Sequence, residues 1–180
     1  ANAAWTGDLE IKGGVLFAAH AQALGTASGV TTIRSGGRLV VEHSTAEPLH
    51  IDGGVVQLAN KDLSGPIEIS GSATIHRPRN PVTMIPRQGE FEQTLGPTNI
   101  YSAISGTGDL TIQNQSIDPL WLRGNSSNTG RTYITAGTVN ATTGTALGAA
   151  SEGTTVNGGN LVVQAATNET FRVESGNLRF

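Results

Sequence analysis

Histidines, clustered carboxylates and a run of arginines are the residues of this chain with the clearest chemical potential. His43 and His50 flank Glu47 and lie close to Asp52, a grouping that would suit a metal ion or an acid–base pair. His20 and His76 stand apart from it. Glu68, Asp52, Glu90 and Glu92 are the acids from which a polysaccharide hydrolase or lyase would draw its catalytic pair. Nothing in the sequence places two of them on one face beside a base or an arginine. Arg77, Arg79 and Arg87, together with His76, form a basic run that would suit an anionic ligand such as an acidic polysaccharide. Trp5 and Trp121 are candidate stacking platforms for sugar rings. Trp121 lies between Leu120 and Leu122, so it faces away from both. The residues expected to touch a ligand are therefore His76, Arg77, Arg79, Arg87 and Trp121. No catalytic residue, metal site or cofactor is expected, and the sequence does not read as an enzyme.

The elements that position these residues follow from composition and punctuation. The 180 residues include 24 Gly, 22 Thr and 12 Asn, no Cys, two Lys and 14% charged side chains, with a net charge of −3. Too few helix formers occur at helical spacing for a bundle, and no apolar run is long enough for a membrane helix. The acid–base balance argues against a nucleic-acid surface, and disulfides or Cys-based zinc sites are excluded. Short β-branched runs recur along the chain, including 31–33, 39–41, 49–51, 55–58, 67–69, 109–112, 161–163 and 171–173. Gly pairs and Ser/Asn/Asp/Gly clusters separate them, which argues for an all-β chain of many short strands. The Ala-rich stretches 17–24 and 141–150 are the only candidates for a helical turn. Four Pro (78, 81, 86, 97) mark residues 77–99 as an irregular excursion from this pattern.

The chain also repeats itself. Residues 2–34 align without a gap on 125–157, and residues 36–58 align on 158–180 after one residue drops out; 21 of the 56 aligned positions are identical. Ile11/Ile134, Ile33/Val156, Leu39/Leu161, Val41/Val163 and Ile51/Val173 stay apolar. Their neighbours Lys12/Thr135, Arg38/Asn160 and His50/Arg172 change freely. Because strand side chains alternate faces, the constant positions form an inner wall and the variable ones an outer surface. His50 thus falls outward, and Glu47 recurs as Glu169 in a turn, which favours a structural role for both over a metal site. A repeat of short strands over a fixed inner wall predicts a solenoid of stacked parallel coils. At 20-odd residues per coil, 180 residues make about eight coils. The competing arrangement, an antiparallel sandwich with a hairpin at Gly36-Gly37, is less favoured.

The stretch Leu120-Trp121-Leu122-Arg123-Gly124-Asn125 through Gly130, Thr132-Tyr133-Ile134, Ala136-Gly137-Thr138-Val139, Ala146-Leu147-Gly148 and Thr155-Val156-Asn157-Gly158 resembles the passenger-associated (autotransporter-associated) β-strand repeat. Ile104-Ser105-Gly106-Thr107-Gly108 resembles the lead-in of that family, and the first copy keeps the later half of the pattern. The resemblance implies a right-handed parallel β-helix in a bacterial surface or secreted protein, serving as stalk and secretion scaffold, and it carries no catalytic residues. The expectation is a single β-helical segment over 1–180 whose start, Ala1-Asn2-Ala3-Ala4, reads as a cut into a longer chain. Its expected partners are neighbouring domains and a polysaccharide or cell-surface glycan, with no nucleic acid and no membrane insertion.

Overall fold

The computed structural model describes residues 6–26, 28–79, 96–149 and 152–180. Among them are sixteen β-strands and no helix. The first eight are β1 (Leu9–Ile11), β2 (Gly14–Ala18), β3 (Thr31–Arg34), β4 (Gly37–Val41), β5 (Leu49–Asp52), β6 (Val55–Leu58), β7 (Ile67–Ile69) and β8 (Ala73–Arg77). Then come β9 (Thr98–Ile100), β10 (Ile104–Gly106), β11 (Leu110–Asn114), β12 (Leu120–Leu122), β13 (Thr132–Ala136), β14 (Thr138–Ala141), β15 (Thr154–Val163) and β16 (Phe171–Arg179). The Ala-rich stretches form successive tight turns instead of helix. Ala23 and Gly25 donate to the carbonyls of His20 and Gln22, and Ala146 and Gly148 to those of Thr143 and Thr145.

Every strand-to-strand pairing is parallel, consistent with a β-helix or solenoid. A first ladder runs β1-β3-β5-β7-β10. A second runs β2-β4-β6-β8-β11-β13-β15-β16, and a third runs β9-β12-β14-β15. β3 and β4 lie in different sheets, so Gly36-Gly37 is a corner between faces and not the hairpin of the sandwich alternative. The alternation read from the sequence sets the interior. Along the second ladder Leu16, Leu39, Val56, Ile75, Ile112, Ile134, Val156 and Val173 stand one above another. From Leu39 to Val156 they are fully buried, each contributing about 1.5–3 kcal/mol relative to exposure. The first ladder carries Ile11, Ile33, Ile51 and Ile69 in the same way and ends on Gly106. Gly106 has φ +104°, and a methyl there would overlap the Ile69 carbonyl oxygen, which receives the amides of Thr107 and Gly108 instead. β16 is the last strand of its ladder, and Val173 on it is 48% exposed.

The two copies of the repeat pair in the same register. Thr31↔Leu49 and Ile33↔Ile51 in the first match Thr154↔Phe171 and Val156↔Val173 in the second. They do not occupy the same ladders. The first copy places β1, β3 and β5 on the first ladder, whereas their counterparts β13, β15 and β16 continue the second. The 123-residue offset is therefore not a whole number of coils, and equivalent outward residues of the two copies look in different directions.

Candidate ligand-binding surface

Folding splits the histidine–carboxylate grouping: Glu47 turns inward, whereas His50 and Asp52 stay together on the outer side of β5. His43 is exposed, and His50 faces outward with Nε2 2.8 Å from Ser70 Oγ. Asp52 is paired with Arg34, which also donates from Nε to Glu10 at 2.9 Å. Glu68 is exposed beside His50 on the outer side of the first ladder. Among the described residues no three His, Cys, Asp or Glu side chains gather closely enough to hold a metal ion.

Glu47 turns inward and is buried, because its backbone amide bonds to Thr45 Oγ1 in a tight turn; Glu169 and Thr167 repeat that turn. Burial pushes the Glu47 carboxyl above its ordinary value of 4.5, against a downward pull from the Thr31 hydroxyl and with a smaller push from Asp8. Burial likewise raises Glu169, which accepts from Thr154 Oγ1 at 2.7 Å. A carboxyl that holds its proton more tightly when folded stabilises the fold below its unfolded pKa. That contribution is lost as pH rises through the folded pKa. Glu47→Gln, which keeps the shape of the protonated acid, should therefore stabilise the chain at about pH 7 and not at about pH 4. Urea unfolding at the two pH values checks this; equal effects at both would count against a raised Glu47.

The basic run is split. Arg77 follows Ala73 and Ile75 on the inward side of β8 and is fully buried. Its Nε and Nη2 donate to Asn60 Oδ1 at 3.0 and 2.8 Å, its Nη1 to the carbonyls of Asp118 and Pro119 at 2.7 and 3.2 Å, and Nη2 also to that of Gly96. All five N–H groups have protein acceptors, so Arg77 leaves the expected anion-binding patch. Burial lowers its pKa, partly countered by the charge of Asp118. What Arg77 does is tie together β8, the corner at Asn60, the turn before β12 and the backbone at Gly96. Gly96 is fixed further by Asp118 Oδ2, which accepts its amide at 2.9 Å. His76 faces outward in register with Gln57 and Gln113, half-buried, and Arg79 is exposed. Arg87, Trp5, Glu90 and Glu92 lie outside the described residues.

Trp121 sits where the alternation places it, on the outer side of β12, in register with Asn99 on β9 and Asn140 on β14. The guanidinium of Arg123 lies 4.8 Å from the Trp121 ring centroid and 5.9 Å from that of Tyr101. Arg123 Nε donates to Asn99 Oδ1 at 2.7 Å. Asn99 is held in turn by Asp62, whose Oδ1 accepts its backbone amide at 2.7 Å and its Nδ2 at 3.2 Å. Tyr101 is 52% exposed and Arg123 is exposed. Sequence reasoning found Trp121 and missed Tyr101, Arg123 and Asn99. The signal was a spacing of 22 residues, the separation that also puts Leu9 under Thr31. The arrangement places two aromatic rings beside a guanidinium held at Nε by Asn99.

The chain matches no known family profile, no curated protein and no solved structure.

Proposed function

We propose that this chain is a structural segment of a bacterial surface or secreted protein, a right-handed parallel β-helix of about eight coils that spaces or displays other domains. The observation that carries the reading is the uninterrupted parallel ladder from Leu16 to Val173, built on one aliphatic column. Such a column makes a stiff rod whose outer residues are free to vary, which is how the two repeat copies differ. The likeness of residues 104–161 to passenger-type repeats supports the same setting, outside the cell or on its surface. On this reading no residue is catalytic. Exchanging the segment, in its parent protein, for an unrelated parallel β-segment of equal length should leave surface display of the flanking parts intact. Loss of display, or turnover of a polysaccharide by the purified chain, would sink the scaffold reading.

A second reading, a carbohydrate-binding module carried on the β-helix, is favoured by one observation: the Tyr101–Arg123–Trp121 cluster on the outer surface. A polysaccharide-degrading enzyme ranks below both: Glu10 and Asp52, the acids that share an outer face with His50 and Glu68, are both tied up in ion pairs with Arg34.

A further inference from the structure

We infer that the outer face of the β9-β12-β14 ladder binds a uronic-acid-containing polysaccharide, with a sugar carboxylate seated on Arg123; this rests on the carbohydrate-binding reading and names its ligand. Three properties of the cluster lead there. First, the guanidinium is pre-positioned: Asp62 fixes Asn99, Asn99 accepts from Arg123 Nε, and the Trp121 and Tyr101 rings flank the cation. Restricting the side chain in advance removes much of the ordering entropy that binding would otherwise cost. Second, the polar groups left over are donors. Among the described residues no acceptor takes the terminal N–H groups of Arg123, the Trp121 indole N–H or the Tyr101 hydroxyl. The nearby acid, Asp62, already accepts two bonds from Asn99. An acceptor-rich, anionic ligand fits that inventory, and a carboxylate matches the planar fork of a guanidinium. The apolar faces of sugar rings match the exposed aromatic surface.

Third, the face continues along the stack. Trp121, Asn140, Val162 and Arg179 stand in register on successive strands about 4.8 Å apart, with Asn140 buried, Trp121 and Val162 half-buried and Arg179 exposed. Beside them Asn177 Nδ2 donates to Asn160 Oδ1 at 2.7 Å, and a shallow groove lies between Thr138, Asn160, Val162, Asn177 and Arg179. A linear polymer laid along this line meets Arg123 at one end and Arg179 three strands further on. The repeat of charge along a polyuronate suits two arginines at that separation, where a single acidic sugar would use only one.

The test uses the whole 180-residue chain carrying Trp5→Phe, so that Trp121 is the sole indole reporter, with a galacturonic acid hexamer as probe. Titration followed by fluorescence and calorimetry should show saturable binding with a change in Trp121 emission. Arg123→Gln should weaken it by about tenfold or more, as loss of a charge-assisted hydrogen bond does. Tyr101→Ala should weaken it less, and circular dichroism of both variants should match the parent, since both sites are outward. The carboxyl-reduced hexamer should bind at least about tenfold more weakly. Equal binding of the reduced hexamer overturns the carboxylate assignment and spares the carbohydrate-binding reading. No response to either hexamer overturns both. Binding that survives Arg123→Gln unchanged in a folded variant places the site elsewhere and overturns the proposal. An oligoglutamate peptide that binds as tightly as the hexamer does the same, by making the surface a peptide site.

Discussion

Arg77→Ala should destabilise the chain by about 3–5 kcal/mol, the range seen when one member of a buried charged network is removed. The reason is that Arg77 satisfies several acceptors at once. Asn60 Oδ1 takes two of its bonds, and the carbonyls of Gly96, Asp118 and Pro119 take the others. Truncation leaves these oxygens without their donors in a region that burial has stripped of water, and each such loss costs about 1–3 kcal/mol before relaxation. Arg77→Lys should recover only part of the stability, because an ammonium has three donors on a point charge where the guanidinium offers five in a fixed plane. Asn60→Ala should cost less than Arg77→Ala, since it leaves three of the acceptors served. Urea unfolding followed by circular dichroism gives all three values. A loss under about 1 kcal/mol for Arg77→Ala would mean that water replaces the side chain and that the network is not a structural tie. Because Arg77 joins Asn60, Gly96 and the 118–119 turn, its removal should also lower the cooperativity of unfolding between β8 and the strands that follow Gly96. The irregular excursion expected over 77–99 falls mostly on residues 80–95, which lie outside the described residues, and Arg77, Thr98 and Asn99 are in strands.

The inward course of Arg77 was legible in part. Ala73, Ile75 and residue 77 share one phase of the alternation, so the periodicity points Arg77 inward along with them. A charge at the end of a strand, next to Pro78, normally argues the other way, since an arginine is rarely buried without partners. Those partners come from residues 17 to 42 positions away and are invisible to local patterning. Glu47 shows the same limit. Its recurrence as Glu169 marked it as structural, but the burial that raises both carboxyls depends on coils packed around them. The inner wall was the most legible feature, because Ile11, Ile33, Ile51 and their counterparts repeat at fixed offsets and only stacking uses such offsets. The shift of the second copy from one ladder to the next was not legible. It depends on how many residues each coil consumes at its corners, and those corners are built from hydrogen bonds between coils. The Trp121 cluster lies between these cases: the outward direction of Trp121 follows from its two leucine neighbours, whereas Arg123 and Tyr101 join it only once the 22-residue step of that ladder is known.

The repeat also allows one substitution to be compared in two surroundings. Gly14 and Gly137 are equivalent positions, and both have left-handed backbones, with φ of +75° and +66°. A left-handed backbone costs a residue with a Cβ roughly 1–2 kcal/mol, so Gly14→Ala and Gly137→Ala share that strain. They differ in what the new methyl meets. At Gly14 no atom lies within 4 Å of it. At Gly137 it would overlap the carbonyl oxygen of Asn114, a fully buried residue whose Nδ2 donates to the carbonyls of Asp118 and Thr138 at 2.9 and 2.8 Å. Relieving the overlap requires the β11 corner to move away from β14, and forcing an extra methyl into a packed site costs about 1–3 kcal/mol more. Gly137→Ala should therefore destabilise by about 2–5 kcal/mol in total, against about 1–2 kcal/mol for Gly14→Ala. Thermal and urea unfolding of the two single variants measure the difference directly. Equal losses would show that backbone strain alone governs both sites, and that the Asn114 corner yields to a methyl without cost. A larger loss at Gly137 would show that stacking of one coil on the next, rather than the turn itself, demands glycine in the Ala136-Gly137-Thr138 motif.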